Sequence, residues 1–534
     1  MKPKSGVARN KPGSGQRFPS LDHVWVWTAV VLIALRPLLI PIPPHDFWWQ
    51  MATGRWTIAH GAIPTVDMFS YTRYGEPFFN QPWLAQVLLY GMYQLGGVAL
   101  ILIAQSLVLV LAYGLLLVLC VRRSGALRLS VAMLLLTAML LGFDNWNVRP
   151  QTYAFPLFVA FLLILTAWRL PSLRLPAPLW LLPLLMIVWV NLHGSFVLGG
   201  LLMALTFVGE ALRRWLQALT PGPAPICAVG AQHAAPSQEE SGQADAALPL
   251  RPLRSLFLWG VVTAAALLVN PNGLGIVGYV TNLTSNSAVT TLVTEWAAPT
   301  TDTVDGAIFF LYLMAAVVVL AYARRPPDPL DLVLVAPLLW LSLGAGRNIV
   351  WLSFVLLPLL VVQAAPWLQP PPGAPRRPAA EVYSLNWLLI GMMGLLLLLG
   401  LPWVKPMLAL PSDLNRLVSV DTPVEAVQAM QAQPDGERPQ HLFHALGYGS
   451  YLIWAAPEQP VFIDPRIELY PYEQWQDYIL LSAGQNAEQL LQSYQIDGLL
   501  LDHERQEGLL ELVRDDPQWQ VRYEDEQTTY LIRR

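Results

Sequence analysis

About eleven apolar runs between residues 24 and 404 decide what this chain can fold into. In hydrocarbon every backbone N–H and C=O must be satisfied within its own segment, so runs of this length fold as helices. They lie at 24–43, 98–121, 128–143, 150–168, 176–191, 195–212, 254–270, 307–322, 330–345, 347–366 and 384–404. The expected fold is mainly α, a polytopic membrane bundle of about 11 transmembrane helices. Composition agrees: 54% of residues are hydrophobic and 13% charged, far from an ordinary soluble chain. A net charge of −4 with no Lys/Arg-rich aromatic surface excludes nucleic acid as a partner. Cys120 and Cys227 stand alone, which leaves no disulfide framework and no cysteine metal site.

Loop charges orient the bundle. Lys2, Lys4, Arg9, Lys11 and Arg17 fall in a basic tail, residues 1–23, and the first run reads as a signal anchor. Arg122, Arg123 and Arg128, then Arg169 and Arg174, Arg213 and Arg214, Arg324 and Arg325 follow alternate spans. Their common side is expected to be cytoplasmic, with the chain after Trp403 on the opposite face. Residues 216–253, rich in Ala, Pro, Gly, Ser and Gln, read as a disordered cytoplasmic loop, and 366–383 as a second connector. The membrane domain spans 24–404; residues 405–534 read as a small extracytoplasmic α/β domain. Its HLFHAL, PVFID, DGLLLD, WQVRYE and TTYLIRR stretches read as strands of a partly parallel sheet ending in a hairpin.

Residues 45–97 form a first outer loop too polar and aromatic to span. Asp46 to His60 is expected to be a short helix ended by Gly61 and Pro64, with a second short helix starting near Pro82. Asp46, beside His45, sits at the hydrocarbon boundary, where a carboxylate is costly unless paired or used. Other polar groups join spans on the same face: Asp144 to Gln151 with Arg149, Asn191 and His193, Asn270 to Gly273, Glu295-Trp296, and Arg347. Polar groups converging on one face of an apolar bundle point to one shared site.

Taken together, His45-Asp46-Phe47-Trp48-Trp49, Gly61-Ala62-Ile63-Pro64, Asp67-Met68-Phe69-Ser70, Arg149-Pro150-Gln151, Asn191-Leu192-His193-Gly194, Asn270-Pro271-Asn272-Gly273, Glu295-Trp296 and Ile463-Asp464-Pro465-Arg466 carry a resemblance across nearly the whole chain. The pattern resembles the C-type (GT-C) glycosyltransferases, polytopic enzymes that use polyprenyl-phosphate sugars, and within them a poorly characterised bacterial group. The resemblance implies sugar transfer from a lipid-phosphate carrier at the outer membrane face, with Asp46 as general base or acceptor-positioning residue. Many members pair two acids in the first loop; here His45 stands where a second acid would be.

The chemistry stands on its own terms. Displacing a phosphate from an anomeric carbon needs a carboxylate to take the acceptor proton and cations to receive the phosphate charge. Asp46, His45 and Glu295 are the candidate catalytic residues; Arg149 and Arg347 are the candidate phosphate donors. Gln151, Asp144, Asn191 and His193 are further substrate-binding candidates, and Trp48, Trp49 and Trp296 offer faces for a sugar ring or prenyl chain. Asp464, Arg466 and Glu468 shape acceptor access or form a salt-bridge network. No cofactor is required by the sequence, though a divalent metal stays open through Glu295 or Asp144. The expected partners are the lipid-linked donor, membrane lipids, and a glycan, lipid or protein acceptor. Two other readings remain: a non-catalytic binding or assembly subunit of the same fold, and a flippase for a lipid-linked glycan.

Overall fold

The computed structural model describes residues 19–219, 252–285, 291, 294–368, 383–408 and 411–534. The basic tail, the 216–253 loop beyond residue 219 and most of the 366–383 connector therefore lie outside the described residues.

Each of the apolar runs is a helix. They are α1 (Leu21–Leu39), α3 (Trp83–Ser124), α4 (Leu127–Leu141), α5 (Pro150–Arg169), α6 (Leu181–Leu192), α7 (Val197–Leu219), α8 (Leu253–Ala266), α10 (Val304–Ala321), α11 (Pro329–Gly344), α12 (Ile349–Ala364) and α13 (Tyr383–Leu399). Among the described residues, 6 helices are long and apolar enough to cross a membrane unaided, and the others are shorter apolar helices. The protein is a multi-pass membrane protein. Two further helices lie in the loops: α2 (Asp46–His60) and α9 (Gly275–Ser285), the second unforeseen from the sequence.

The helix expected near Pro82 runs straight into the following span, and the two meet at a break. Gly96 (φ −159°, ψ 19°) and Gly97 (φ 62°, ψ −160°) leave helical geometry there, and only glycine takes the second conformation without strain. The bundle centre is aromatic: Phe155, Phe158, Trp189, Trp351 and Phe354 are buried, Phe155 meets Trp351 and Phe354 edge-to-face at 5.2 and 5.4 Å, and Phe158 lies tilted against Trp351 at 5.1 Å. In lipid such contacts hold helices by close packing, since the surrounding tails are equally apolar.

The two ends of the bundle differ in chemistry. At one end, Arg123 pairs with Asp331 at 2.5 Å, Arg169 with Asp328 at 2.7 Å, and Glu210 with Arg213 and Arg214 at 2.7 and 2.8 Å. The first two tie α3 and α5 to the start of α11, and the Glu210 pairs lie within α7. At the other end sit α2, the remaining polar clusters and the C-terminal domain.

That domain has a 4-stranded sheet in the order β1-β2-β4-β3, with β1 Leu442–His444, β2 Gly498–Asp502, β3 Trp519–Glu524 and β4 Thr528–Arg533. β1 runs parallel to β2, β2 antiparallel to β4, and β3-β4 is a hairpin. The expected PVFID strand is not one. Val461 makes only single bridges, to Leu442 and to Ser70 of the first loop, because Pro460 and Pro465 interrupt the ladder. Instead the loop lends its own edge: Val461 donates to Phe69 O at 2.9 Å and Tyr71 donates to Val461 O at 3.1 Å.

The domain is therefore built onto the first loop. Arg466, 1% exposed, donates to Asp464 at 2.8 and 2.6 Å and to Asp67 at 2.6 Å, while Tyr470 donates to Asp464 at 2.6 Å. Phe69 and Phe78 cover the guanidinium at 5.1 and 5.0 Å. The sequence left these acids and this arginine between acceptor access and a salt-bridge network; for Asp464 and Arg466 the structure shows the network. Lys405, where the domain begins, is buried and donates to Leu38 O and Arg416 O at 2.9 and 3.0 Å.

Candidate active site

α2 starts with Asp46 in its first turn, where the helix dipole favours a carboxylate. No side chain of its own sequence caps it. The cap comes from the domain: the buried Ser450 hydroxyl of helix Leu446–Ala455 accepts the Trp49 amide at 3.1 Å. The same helix passes so close that a Cβ on Gly447 would lie 3.8 Å from His45 Nδ1. Gly61 closes α2 in the left-handed conformation, φ 61°. In between, Gly54 lets α3 approach, because a Cβ there would sit 2.2 Å from Gln86 O. Asp46 is thus held between the bundle and the domain.

Three segments bring the charged groups to it. Arg149 precedes Pro150, which forces extended backbone (φ −156°, ψ 160°) just before α5. Glu295 lies in the turn Thr294–Trp296, and Arg347 in the turn Gly346–Asn348. The two turns are joined by Gly346 N–H donating to Ala297 O at 2.9 Å. Arg149 Nη1 donates to Glu295 at 2.5 Å, and its Nη2 reaches Asn145 Oδ1 at 3.4 Å. Gln151 donates to the same Asn145 oxygen at 3.2 Å and accepts from Arg347 at 3.3 Å. The two arginines are braced through Asn145 and Gln151. Arg347 also lies over Trp296, 4.6 Å from the ring centre.

Two features leave cation capacity unspent. Arg149 Nε is buried with no hydrogen-bond partner. Arg347 makes one long hydrogen bond among the described residues, although its guanidinium carries five N–H donors.

The charges tune one another. Burial raises the Asp46 carboxyl above the ordinary range, Arg149 opposes this, and Glu295 adds to it. The buried Trp49 indole N–H also favours the charged carboxylate, short of full hydrogen-bond geometry. Burial works against the Glu295 carboxylate too, but Arg149 overcomes it and holds that group low. For His45, burial lowers the imidazole pKa although Asp46 pulls it up. Asp46 and Glu295 therefore occupy opposite electrostatic settings, the pattern that separates a proton acceptor from a fixed counter-charge.

The structure brings His45, Asp46, Arg149, Gln151, Glu295, Trp296 and Arg347 together. His193 borders them: its ring accepts the Ser195 N–H at 3.1 Å, and burial, then Arg347 and Arg149, hold its pKa well below normal. Asn191 is spent on packing, accepting from Trp83 Nε1 and donating to Ile187 O and Val269 O, each at 2.8 Å. Trp48 and Trp49 do not offer the open faces expected of them. Both are buried, Trp48 against Tyr451 (5.2 Å) and Trp454, and Trp49 against Phe78. Asp144 belongs to the turn Phe143–Trp146, and its side chain lies outside what the structure describes. Asn145 belongs to the polar run Asp144 to Gln151, whereas nothing in the sequence marks Ser450. Glu468, from the turn Ile467–Leu469, also faces this region: desolvation raises its carboxyl, and Asp46 is among the charges acting on it. Among the described residues no three His, Cys, Asp or Glu side chains cluster closely enough to hold a metal ion.

No family model matches the chain, and no curated protein matches it. Solved structures do. The crystal structure of ArnT from Cupriavidus metallidurans bound to undecaprenyl phosphate is 13% identical with a TM-score of 0.46, covering 95% of this chain and 97% of that one. The crystal structure of ArnT from the same organism in the apo state is 12% identical with a TM-score of 0.48, again over 95% and 97% of the two chains.

Proposed function

We propose that the protein is a membrane glycosyltransferase that moves a sugar from a polyprenyl-phosphate donor to an acceptor at the extracytoplasmic face. The observation that carries the reading is the juxtaposition of a raised carboxylate, Asp46, with two braced arginines that keep donors to spare. A phosphate diester or monoester suits forked guanidinium donors in a partly desolvated site. The excess of Arg and Lys in the opposite loops supports a site on the extracytoplasmic side.

In the reaction the acceptor O–H attacks the anomeric carbon while the bond from that carbon to the phosphate oxygen breaks. Asp46 takes the hydroxyl proton, and the departing phosphate keeps the bonding pair. Arg149 and Arg347 receive the charge that develops on it, which is the larger electrostatic contribution. Glu295 orients Arg149 and does not leave it. His45, next to it in the chain, orients Asp46 or relays its proton outward.

The test is turnover of a radiolabelled polyprenyl-phosphate sugar by the purified protein and by Asp46→Asn. The variant is expected to keep its fold and lipid binding and lose transfer. Equal transfer by the two proteins would remove Asp46 from the chemistry, and a binding subunit would then fit better.

A further inference from the structure

One cavity lies well away from Asp46. It lies at the far end of α2, where the first-loop stretch Gly61 to Thr65 faces the Pro271-Asn272 turn that follows α8, and it encloses about 640 Å³. α2 has 15 residues, so this cavity lies roughly 20 Å from Asp46 along the helix. Two motifs with no part in the charge cluster meet across it.

Its lining is distinctive for what it lacks. Among the described residues no charged side chain lines the cavity. Ile63 and Phe78 give it an apolar floor, with Trp83 at its side. Its buried polar groups are already satisfied: Asn80 and Gln86 exchange amide hydrogen bonds at 2.8 Å each way, and Trp83 Nε1 is committed to Asn191. At the rim, the Thr65 hydroxyl and Asn272 amide are exposed and make no side-chain hydrogen bond among the described residues. A phosphate or carboxylate would find no cation here. A bare acyl chain would leave the polar rim unused. A neutral pyranose ring fits both parts, its C–H face on aromatic and aliphatic surface and its hydroxyls at the rim.

We infer that this cavity binds a neutral sugar at a seat separate from the charge cluster around Asp46. Saturation-transfer NMR on the full chain in phosphatidylcholine nanodiscs, with methyl glycosides of glucose, mannose and N-acetylglucosamine as probes, tests it without turnover. Transfer to ring protons of at least one glycoside is expected. It should fall at least fivefold in Ala62→Trp, which fills the cavity from an exposed loop position, and at least twofold in Asn272→Ala. It should be unchanged in Asp46→Asn. Absence of transfer to all three glycosides, equal transfer in Ala62→Trp, or displacement of the sugar by added decane would overturn the inference. Glycoside binding that survives while Asp46→Asn leaves turnover intact would sink the transferase and keep the sugar site.

Discussion

Arg466 and the pair Arg149–Arg347 face the same problem, a guanidinium away from bulk water, and solve it differently. Arg466 meets two carboxylates at 2.6–2.8 Å, lies between two aromatic rings, and sits beside a tyrosine that donates to the same Asp464 oxygen as its Nη2. Arg149 and Arg347 have one carboxylate between them, long hydrogen bonds to amides, and donors left over. A buried charge that is completely satisfied is architecture. Buried charge that is incompletely satisfied costs stability, and its persistence marks a place kept for a ligand.

The comparison can be broken at several points. The largest effect expected is on turnover: Asp46→Asn should lower transfer by about 10²–10⁴-fold, the range of a lost general base. Its stability should not fall. A carboxyl whose pKa is raised by folding loses stability as pH climbs through that window, so at neutral pH the amide should melt at the same temperature or higher. Arg466→Met should do the reverse. Removing one partner of a buried network costs about 3–5 kcal/mol, which denaturant or thermal unfolding should register along with faster proteolysis of the C-terminal domain.

Arg347→Ala should weaken polyprenyl-phosphate binding by about 10–100-fold, the worth of one or two hydrogen bonds to a charged group, with little change in melting. Equilibrium binding of a fluorescent polyprenyl phosphate reads this directly. The smallest effect concerns pH. Glu295 raises the Asp46 pKa and engages Arg149, so Glu295→Gln should shift the acid limb of the turnover profile to lower pH. A shift to higher pH would contradict the sign of that coupling.

The bundle was legible in the sequence because hydrocarbon imposes one rule on every span, and the apolar runs from 24–43 to 384–404 met it. Asp46–His60 was legible too, since Gly61 stops it by a local φ requirement. What could not be read were pairings across long chain separations. PVFID has strand composition, but its partner is Phe69 to Tyr71, nearly four hundred residues earlier. Trp48 and Trp49 read as open faces for a sugar ring or prenyl chain until the domain and loop that cover them are in place. Charge alone did not divide Arg466 from Arg347; only their contacts do.

The most direct measurement is a side-by-side titration of polyprenyl phosphate into the wild-type protein, Arg347→Ala and Arg466→Met, each with its melting curve. The expected result is weakened binding with intact melting for Arg347→Ala, and a lowered melting temperature for Arg466→Met with binding retained while it stays folded. Full-strength binding by Arg347→Ala would contradict the assignment of the unsatisfied arginines to the lipid phosphate.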